Sequence, residues 1–112
     1  MFSLKTRWYF VFSNLQELEE KFNQQNQFTL TLTFGQVIFI KKGDEIFAFK
    51  NKCPHQNKSL VGCTIDEKLE CPWHRYRFDL ETGRGHGMAL DKYELDFNEK
   101  GVFLGREYFS IF

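Results

Sequence analysis

The loop-rich middle of the chain, residues 51–87, reads NKCPHQNKSLVGCTIDEKLECPWHRYRFDLETGRGHG. It contains a Cys-Pro-His string and, after a gap of fifteen residues, a Cys-Pro-Trp-His string. Each string offers one thiolate and one imidazole, close enough together in the chain to reach one metal centre. Both strings lie among proline and polar residues, where a hydrophobic core would not require buried cysteines. The repeated pairing therefore predicts a metal site. Its four candidate ligands are Cys53, His55, Cys71 and His74.

The distribution of these ligands between the two strings bears on the kind of metal. Zinc fingers typically place two cysteines on one arm and two histidines on the other, whereas here each arm carries one of each. That arrangement suits a dinuclear iron–sulfur cluster in which the cysteines bind one iron and the histidines bind the other. A structural zinc module used for protein binding is the alternative that these residues leave open.

The longer pattern around the ligands resembles a known family. C-P-H-Q-x-x-S-L followed by C-P-W-H-x-x-x-F-D-L-x-T-G is similar to Rieske ferredoxins and to the Rieske domains of ring-hydroxylating oxygenase systems. The resemblance implies a [2Fe–2S] cluster with the cysteines on a buried iron and the histidines on an outer iron. It also implies a one-electron carrier, not an enzyme, that passes electrons from a reductase to an oxygenase or a similar acceptor.

The sequence departs from the family pattern at two glycine positions, where it has Asn57 and Arg75. Asn adopts positive φ more readily than other non-glycine residues, so the first loop should tolerate the change. Arg75 would lie beside the outer histidine and could alter partner choice. Beyond Gly83, Arg-Gly-His-Gly-Met replaces the proline-bearing loop of the family.

A third cysteine, Cys63, bears on the branch of the family. High-potential Rieske proteins of respiratory complexes, which this chain resembles, pair an extra cysteine in each ligand loop as a disulfide. In this sequence Trp73 stands where the partner of Cys63 would be. The resemblance therefore implies a packed free thiol at Cys63 and places the chain with the low-potential, ferredoxin-like branch.

Composition narrows the function further. The 112 residues predict one domain, 1–112, and fifteen basic residues balance fifteen acidic ones, so no nucleic-acid partner is indicated. No apolar run approaches the roughly 20 residues of a membrane span. Three cysteines are an odd number, which argues against a disulfide framework and favours a reducing compartment. These features predict a cytoplasmic protein without a membrane association.

Alternating and continuous apolar runs on both sides of the ligand strings predict strands. The fold expected is all-β, an antiparallel β-sandwich or barrel with an inserted loop-rich cluster-binding lobe at about 51–87 and one short helix in the segment 13–26. Ser13 and Gln16 fit a capping box at the start of that helix. The predicted strands cover 7–12, 28–34, 36–41, 45–50, 90–97 and 102–109.

The remaining histidine, His86, limits what else the chain can do. A mononuclear iron site for O₂ activation needs two histidines and a carboxylate, and the cluster already uses two of the three histidines. We interpret His86 as a solvated loop residue and expect catalysis to lie in partner proteins. The second interpretation is a non-catalytic Rieske subunit of a larger reductase, similar to the small subunit of assimilatory nitrite reductases.

Overall fold

The computed structural model describes residues 3–54, 57–73 and 75–110, and side chains only as far as residue 108. One helix and eleven strands follow one another along the described chain. They are β1 Ser3–Phe12, α1 Leu15–Phe22, β2 Gln27–Leu32, β3 Gly35–Lys42, β4 Glu45–Lys50, β5 Thr64–Ile65, β6 Lys68–Glu70, β7 Arg77–Asp79, β8 Arg84–Gly85, β9 Met88–Ala89, β10 Lys92–Asn98 and β11 Gly101–Ser110. The helix found in the described residues is not long and apolar enough to cross a membrane.

Six of the strands form the main sheet, in the order β1-β11-β10-β4-β3-β2. All of its pairings are antiparallel, which confirms the predicted all-β fold. The insert between β4 and β10 is richer in strands than the sequence indicated. It holds a three-stranded sheet, β5-β6-β7, and the two-stranded hairpin β8-β9.

Strand β3 explains how the insert is attached. Its side chains from Val37 to Ile40 are all fully buried. Because successive side chains of a strand point to opposite faces, Val37 and Phe39 enter a core with α1, whereas Ile38 and Ile40 enter a second core with the insert. Strand β4 does the same, with Phe47 and Phe49 on the insert side. The main sheet is thus the shared wall of two cores, and the insert packs firmly on one of its faces.

The helix begins one residue later than the sequence suggested. Asn14, not Ser13, is the N-cap, and its side-chain oxygen accepts a hydrogen bond from the N–H of Glu17 at 2.8 Å. Leu18 and Phe22 are buried against the sheet. Asn is as good an N-cap as Ser, and here it is the residue whose backbone is extended at the helix start.

Candidate metal centre

Two loops carry the predicted ligands, and their backbones fold alike. Ligand loop 1 is residues 51–63 and ligand loop 2 is residues 71–77. The N–H of Cys53 donates to the carbonyl of Lys58, and the N–H of Cys71 donates to the carbonyl of Tyr76, each at 2.7 Å. Both bonds span five residues. Each loop therefore closes on its own cysteine, which holds the two cysteines in matching surroundings.

Both loops also turn through the left-handed region at the same place. The fourth residue after each cysteine has positive φ, +56° at Asn57 and +58° at Arg75. These are the two positions at which the sequence departs from the glycine pattern. The backbone thus keeps the conformation that glycine adopts freely, although non-glycine residues occupy both positions. The strain is larger at Arg75, because Asn is the better tolerated of the two.

We predict that Arg75→Gly stabilises the protein. Relief of the left-handed strain should exceed the gain in unfolded-state entropy and leave about 0.5 to 1 kcal/mol of net stabilisation. Asn57→Gly is the matched control and should change the free energy of unfolding by less than about 0.5 kcal/mol. Urea denaturation of the two variants beside the parent measures both values. A lower stability for Arg75→Gly would contradict the argument, since it would mean that contacts of the arginine side chain exceed the strain.

The two ligand cysteines are deeply buried, with 1% of Cys53 and none of Cys71 exposed. Their side chains lie close enough together to influence each other's ionisation. The pKa of the Cys71 thiol is raised to about 11, chiefly by burial and also by the proximity of Cys53. The backbone N–H of Trp73, directed at the Cys71 sulfur, acts the other way. Two adjacent buried thiols are suited to a cation that replaces both protons, because the metal neutralises the thiolates that burial alone disfavours. The donor set therefore fits a thiolate-bound metal centre.

The predicted histidine ligands, His55 and His74, lie outside the described residues, as does Gln56. In the described parts of the chain no three His, Cys, Asp or Glu side chains converge as a metal site. The structure thus brings together the two cysteines of the predicted ligand set, and the histidine half stays a prediction.

Cys63 is a packed free thiol, as predicted from the sequence. All three cysteines are free, and 4% of Cys63 is exposed. Burial raises the pKa of its thiol to about 12, against the opposing effect of its own backbone N–H. A thiol with such a pKa stays protonated at neutral pH and is a poor nucleophile. Cys63 therefore serves the core of the insert.

Two amide side chains that the sequence analysis did not single out hold ligand loop 1. The buried Asn51 accepts from the N–H of Leu60 at 2.8 Å and donates to the side chain of Gln36 at 3.1 Å. Gln27, on β2, accepts from the N–H of Gly62 and donates to the carbonyl of Cys63, each at 2.9 Å. Both residues tie the loop to the main sheet. Nothing in the sequence around Gln27 or Asn51 indicates this role, because the groups that they bind are distant in the chain or lie in an irregular loop.

His86 is an exposed turn residue, as predicted, and it has a structural role that the sequence did not indicate. With Gly87 it forms the turn of the β8-β9 hairpin, and both residues have positive φ, as a two-residue type I′ turn requires. Its Nε2 accepts from the N–H of Arg77 at 3.1 Å, and its ring packs edge-on against Tyr76 at 4.9 Å. His86 thus supports ligand loop 2 from the side on which the family pattern has its proline-bearing loop. The His-Gly pair was the available signal for this turn.

Trp73 joins the two ligand loops. Its Nε1–H donates to the carbonyl of Ser59 at 3.2 Å, and the ammonium group of Lys58 lies 4.2 Å from the centre of its ring. The ring is nevertheless 45% exposed. Trp73 is therefore neither a core residue nor a free surface residue, because its orientation is set from both sides.

Comparison with known families agrees with this geometry. The profile of the Rieske [2Fe–2S] domain family matches residues 8–92, so the chain belongs to that family. The cofactor of the family is a [2Fe–2S] cluster, which fits the paired cysteines. Among curated relatives, human Apoptosis-inducing factor 3 is 38% identical over 78 residues, which cover 65% of this chain and 13% of the human protein. The Methylxanthine N1-demethylase NdmA of Pseudomonas putida is 33% identical over 45 residues, covering 39% of this chain and 13% of that protein. The chain thus spans only a small part of these curated relatives.

Solved structures with the same fold include small ferredoxins and parts of larger chains. In a complex of reduced oxygenase and oxidized ferredoxin in carbazole 1,9a-dioxygenase, one chain matches with a TM-score of 0.68 and 22% identity, over 87% of this chain and 91% of that one. The ferredoxin of carbazole 1,9a-dioxygenase from Nocardioides aromaticivorans IC177 matches with a TM-score of 0.60 and 21% identity, over 70% and 83%. NdmA of Pseudomonas putida CBB5 matches with a TM-score of 0.64 and 19% identity, over 87% of this chain and 33% of that chain.

Proposed function

We propose that the chain is a soluble one-electron carrier that passes electrons from a reductase to an oxygenase or a similar acceptor, and that it performs no catalysis of its own. When bound, a [2Fe–2S] cluster supplies a single site of one-electron oxidation and reduction. Its proposed ligands are Cys53, His55, Cys71 and His74. The observation that carries the proposal is the pair of buried, neighbouring cysteines at equivalent positions of two loops with the same backbone closure.

The surroundings of the cysteines suit electron transfer. The backbone N–H of Trp73 is directed at the Cys71 sulfur. Apolar side chains exclude water from the interior side of both loops. Hydrogen bonds to the sulfurs and burial are the means by which a protein tunes the potential of such a centre. Without a disulfide between the ligand loops, we expect a potential near the low end of the Rieske window, about −150 mV.

The test is spectroscopic. Anaerobically purified protein should be red-brown, contain two irons and two sulfides per chain, and show a Rieske-type EPR signal at low temperature after dithionite. Iron, sulfide and zinc analysis should accompany the visible and EPR spectra. A colourless protein that binds zinc even after attempted cluster reconstitution would overturn the proposal in favour of a structural zinc module.

A second candidate is a non-catalytic Rieske subunit of a larger reductase, and one observation favours it. Leu4, Trp8 and Phe10 alternate along the edge strand β1, so they lie on one face, and 46% to 57% of each is exposed. Exposed apolar side chains on one face mark sites of protein–protein contact, and permanent interfaces are the more hydrophobic ones. Tight co-purification with a large partner would favour the subunit, and a monodisperse monomer would favour the carrier.

A further inference from the structure

Charge is distributed unevenly although the chain as a whole is neutral. The two ligand loops, residues 51–63 and 71–77, contain four of the fifteen basic residues and none of the fifteen acidic ones. Their formal charge is therefore +4, and that of the remaining residues is −4. The four cations are Lys52, Lys58, Arg75 and Arg77. The net charge of the chain is zero, but the region around the proposed cluster is positively charged.

Three of these cations face solvent without an acidic partner. Arg77 forms an ion pair with Asp66 at 2.7 Å. Lys52, Lys58 and Arg75 are exposed, and within the described residues no ion pair involves any of them. Their charge is therefore available to an approaching molecule.

Acidic side chains gather at the far end of the same strands. The pairing of Lys68 with Asp79 and of Glu70 with Arg77 places ligand loop 2 at one end of the β6-β7 hairpin and the neighbourhood of Asp79 at the other. At that far end one surface cleft is lined by five carboxylates. They are Asp44, Glu45, Glu67, Asp79 and Glu81, and one cation, Lys42, lines the same cleft. Opposite charges at opposite ends of this part of the protein, to which the insert and the β3-β4 turn both contribute, can orient a charged partner before contact.

The positive region has an apolar centre. Trp73 is 45% exposed and Val61 is 56% exposed. Trp73 is held at Ser59 through its Nε1–H, and the N–H of Val61 donates to the hydroxyl of the same serine at 3.1 Å. A fixed, exposed tryptophan loses little conformational entropy when it is covered, and tryptophan is enriched among residues that contribute most to binding.

We propose that the two ligand loops form a docking surface for a redox protein whose own docking face is acidic. In this surface Trp73 and Val61 are the apolar centre, and Lys52, Lys58 and Arg75 are the cationic rim. The proposal rests on the proposed function, since it names the chemistry of the partner that exchanges electrons with this site. An acidic face complements the rim, and the distant carboxylates of the insert repel it from the wrong end.

The first test compares two double variants of equal net charge. Lys52→Gln with Lys58→Gln removes two rim charges, whereas Lys5→Gln with Lys100→Gln removes two charges from β1 and the β10-β11 turn. On a cation-exchange resin at neutral pH, the rim variant should elute at lower salt than both the parent and the control. This readout does not depend on electron transfer. Equal elution of the two variants would overturn the proposal.

The second test measures oxidation of the dithionite-reduced protein in a stopped-flow instrument. Trianionic tris(oxalato)cobaltate(III) and tricationic hexaamminecobalt(III) each accept one electron from the protein and become cobalt(II). Between low salt and about 0.3 M salt, the rate with the anion should fall about tenfold and the rate with the cation should rise. The rim variant should lose most of this dependence and the control variant should keep it. The single variant Lys52→Gln leaves the Lys58–Trp73 contact intact and should lose about half of the salt dependence of the oxidation rate.

The two tests separate this proposal from the one on which it rests. A protein with a normal Rieske spectrum but no salt dependence, or the reverse dependence, would overturn the acidic-partner proposal and leave the electron carrier standing. A chain that forms no cluster would overturn both. A third comparison uses two protein oxidants, an acidic blue-copper protein and a basic c-type cytochrome. Faster oxidation by the acidic protein at low salt, with the two rates converging at high salt, would support the proposal for a protein partner as well.

Discussion

Replacing Cys71 with alanine should abolish the visible and EPR signatures of the cluster and lower the free energy of unfolding by roughly 4 kcal/mol or more. The reason is that Cys71 is both a proposed cluster ligand and a buried core residue, so its replacement has two effects. The metal centre loses a thiolate, and the insert loses the cross-connection that its two ligand loops would gain through that centre. For a chain of this size the expected fall in Tm is about 15 to 20 °C. Iron and sulfide analysis with thermal denaturation monitored by circular dichroism measures both effects.

Cys63→Ala is the matched control, because it makes the same truncation at another buried cysteine of the insert. It should keep the full spectrum and cost only about 1 kcal/mol for the lost packing. His55→Ala and His74→Ala should each abolish the Rieske spectrum while circular dichroism still reports the β fold. A normal spectrum in any of the proposed ligand variants, or loss of the cluster in Cys63→Ala, would refute the ligand assignment.

Gly85→Ala should destabilise the protein by about 3 kcal/mol and loosen ligand loop 2. A Cβ at this position would lie 2.1 Å from the carbonyl oxygen of Arg77, far inside van der Waals contact. Strand β8 would have to move away from β7. That movement would break the hydrogen bond from the Arg77 N–H to His86 and withdraw the imidazole from Tyr76. Urea denaturation measures the loss of stability, and hydrogen exchange of the Arg77 amide by mass spectrometry measures the loosening.

Gly87→Ala is the control in the same hairpin. Gly87 has a φ of +73°, but a Cβ there would have nothing within 4 Å. Its replacement should cost only the strain of a left-handed alanine, about 1 kcal/mol, and leave the Arg77 amide protected. If the two variants were equally destabilised, the close approach of β8 to β7 would not be what requires glycine at position 85.

The charge pattern of the ligand loops changes the interpretation of the composition. The balance of fifteen basic and fifteen acidic residues gave no indication of a nucleic-acid partner and left the distribution of charge in space open. The structure separates the two signs, because strands β4 and β6 both run from the acidic cleft towards the ligand loops. Counting charges along a sequence gives a total. The arrangement of a neutral protein's charges in space determines which partners it attracts.

By itself the sequence determined the ligand strings, the absence of a partner for Cys63, the all-β class and the tolerance of a left-handed conformation at Asn57. These features depend on covalent spacing and on local conformational preference, and both can be inferred from residues that are close together in the sequence. The tertiary structure alone decided that Gln27 holds Cys63 across 36 positions of the chain, and that β3 is buried on both faces. It also decided that His86 supports ligand loop 2. Such contacts depend on how distant strands are stacked, and no single segment contains the information that brings its partner to it.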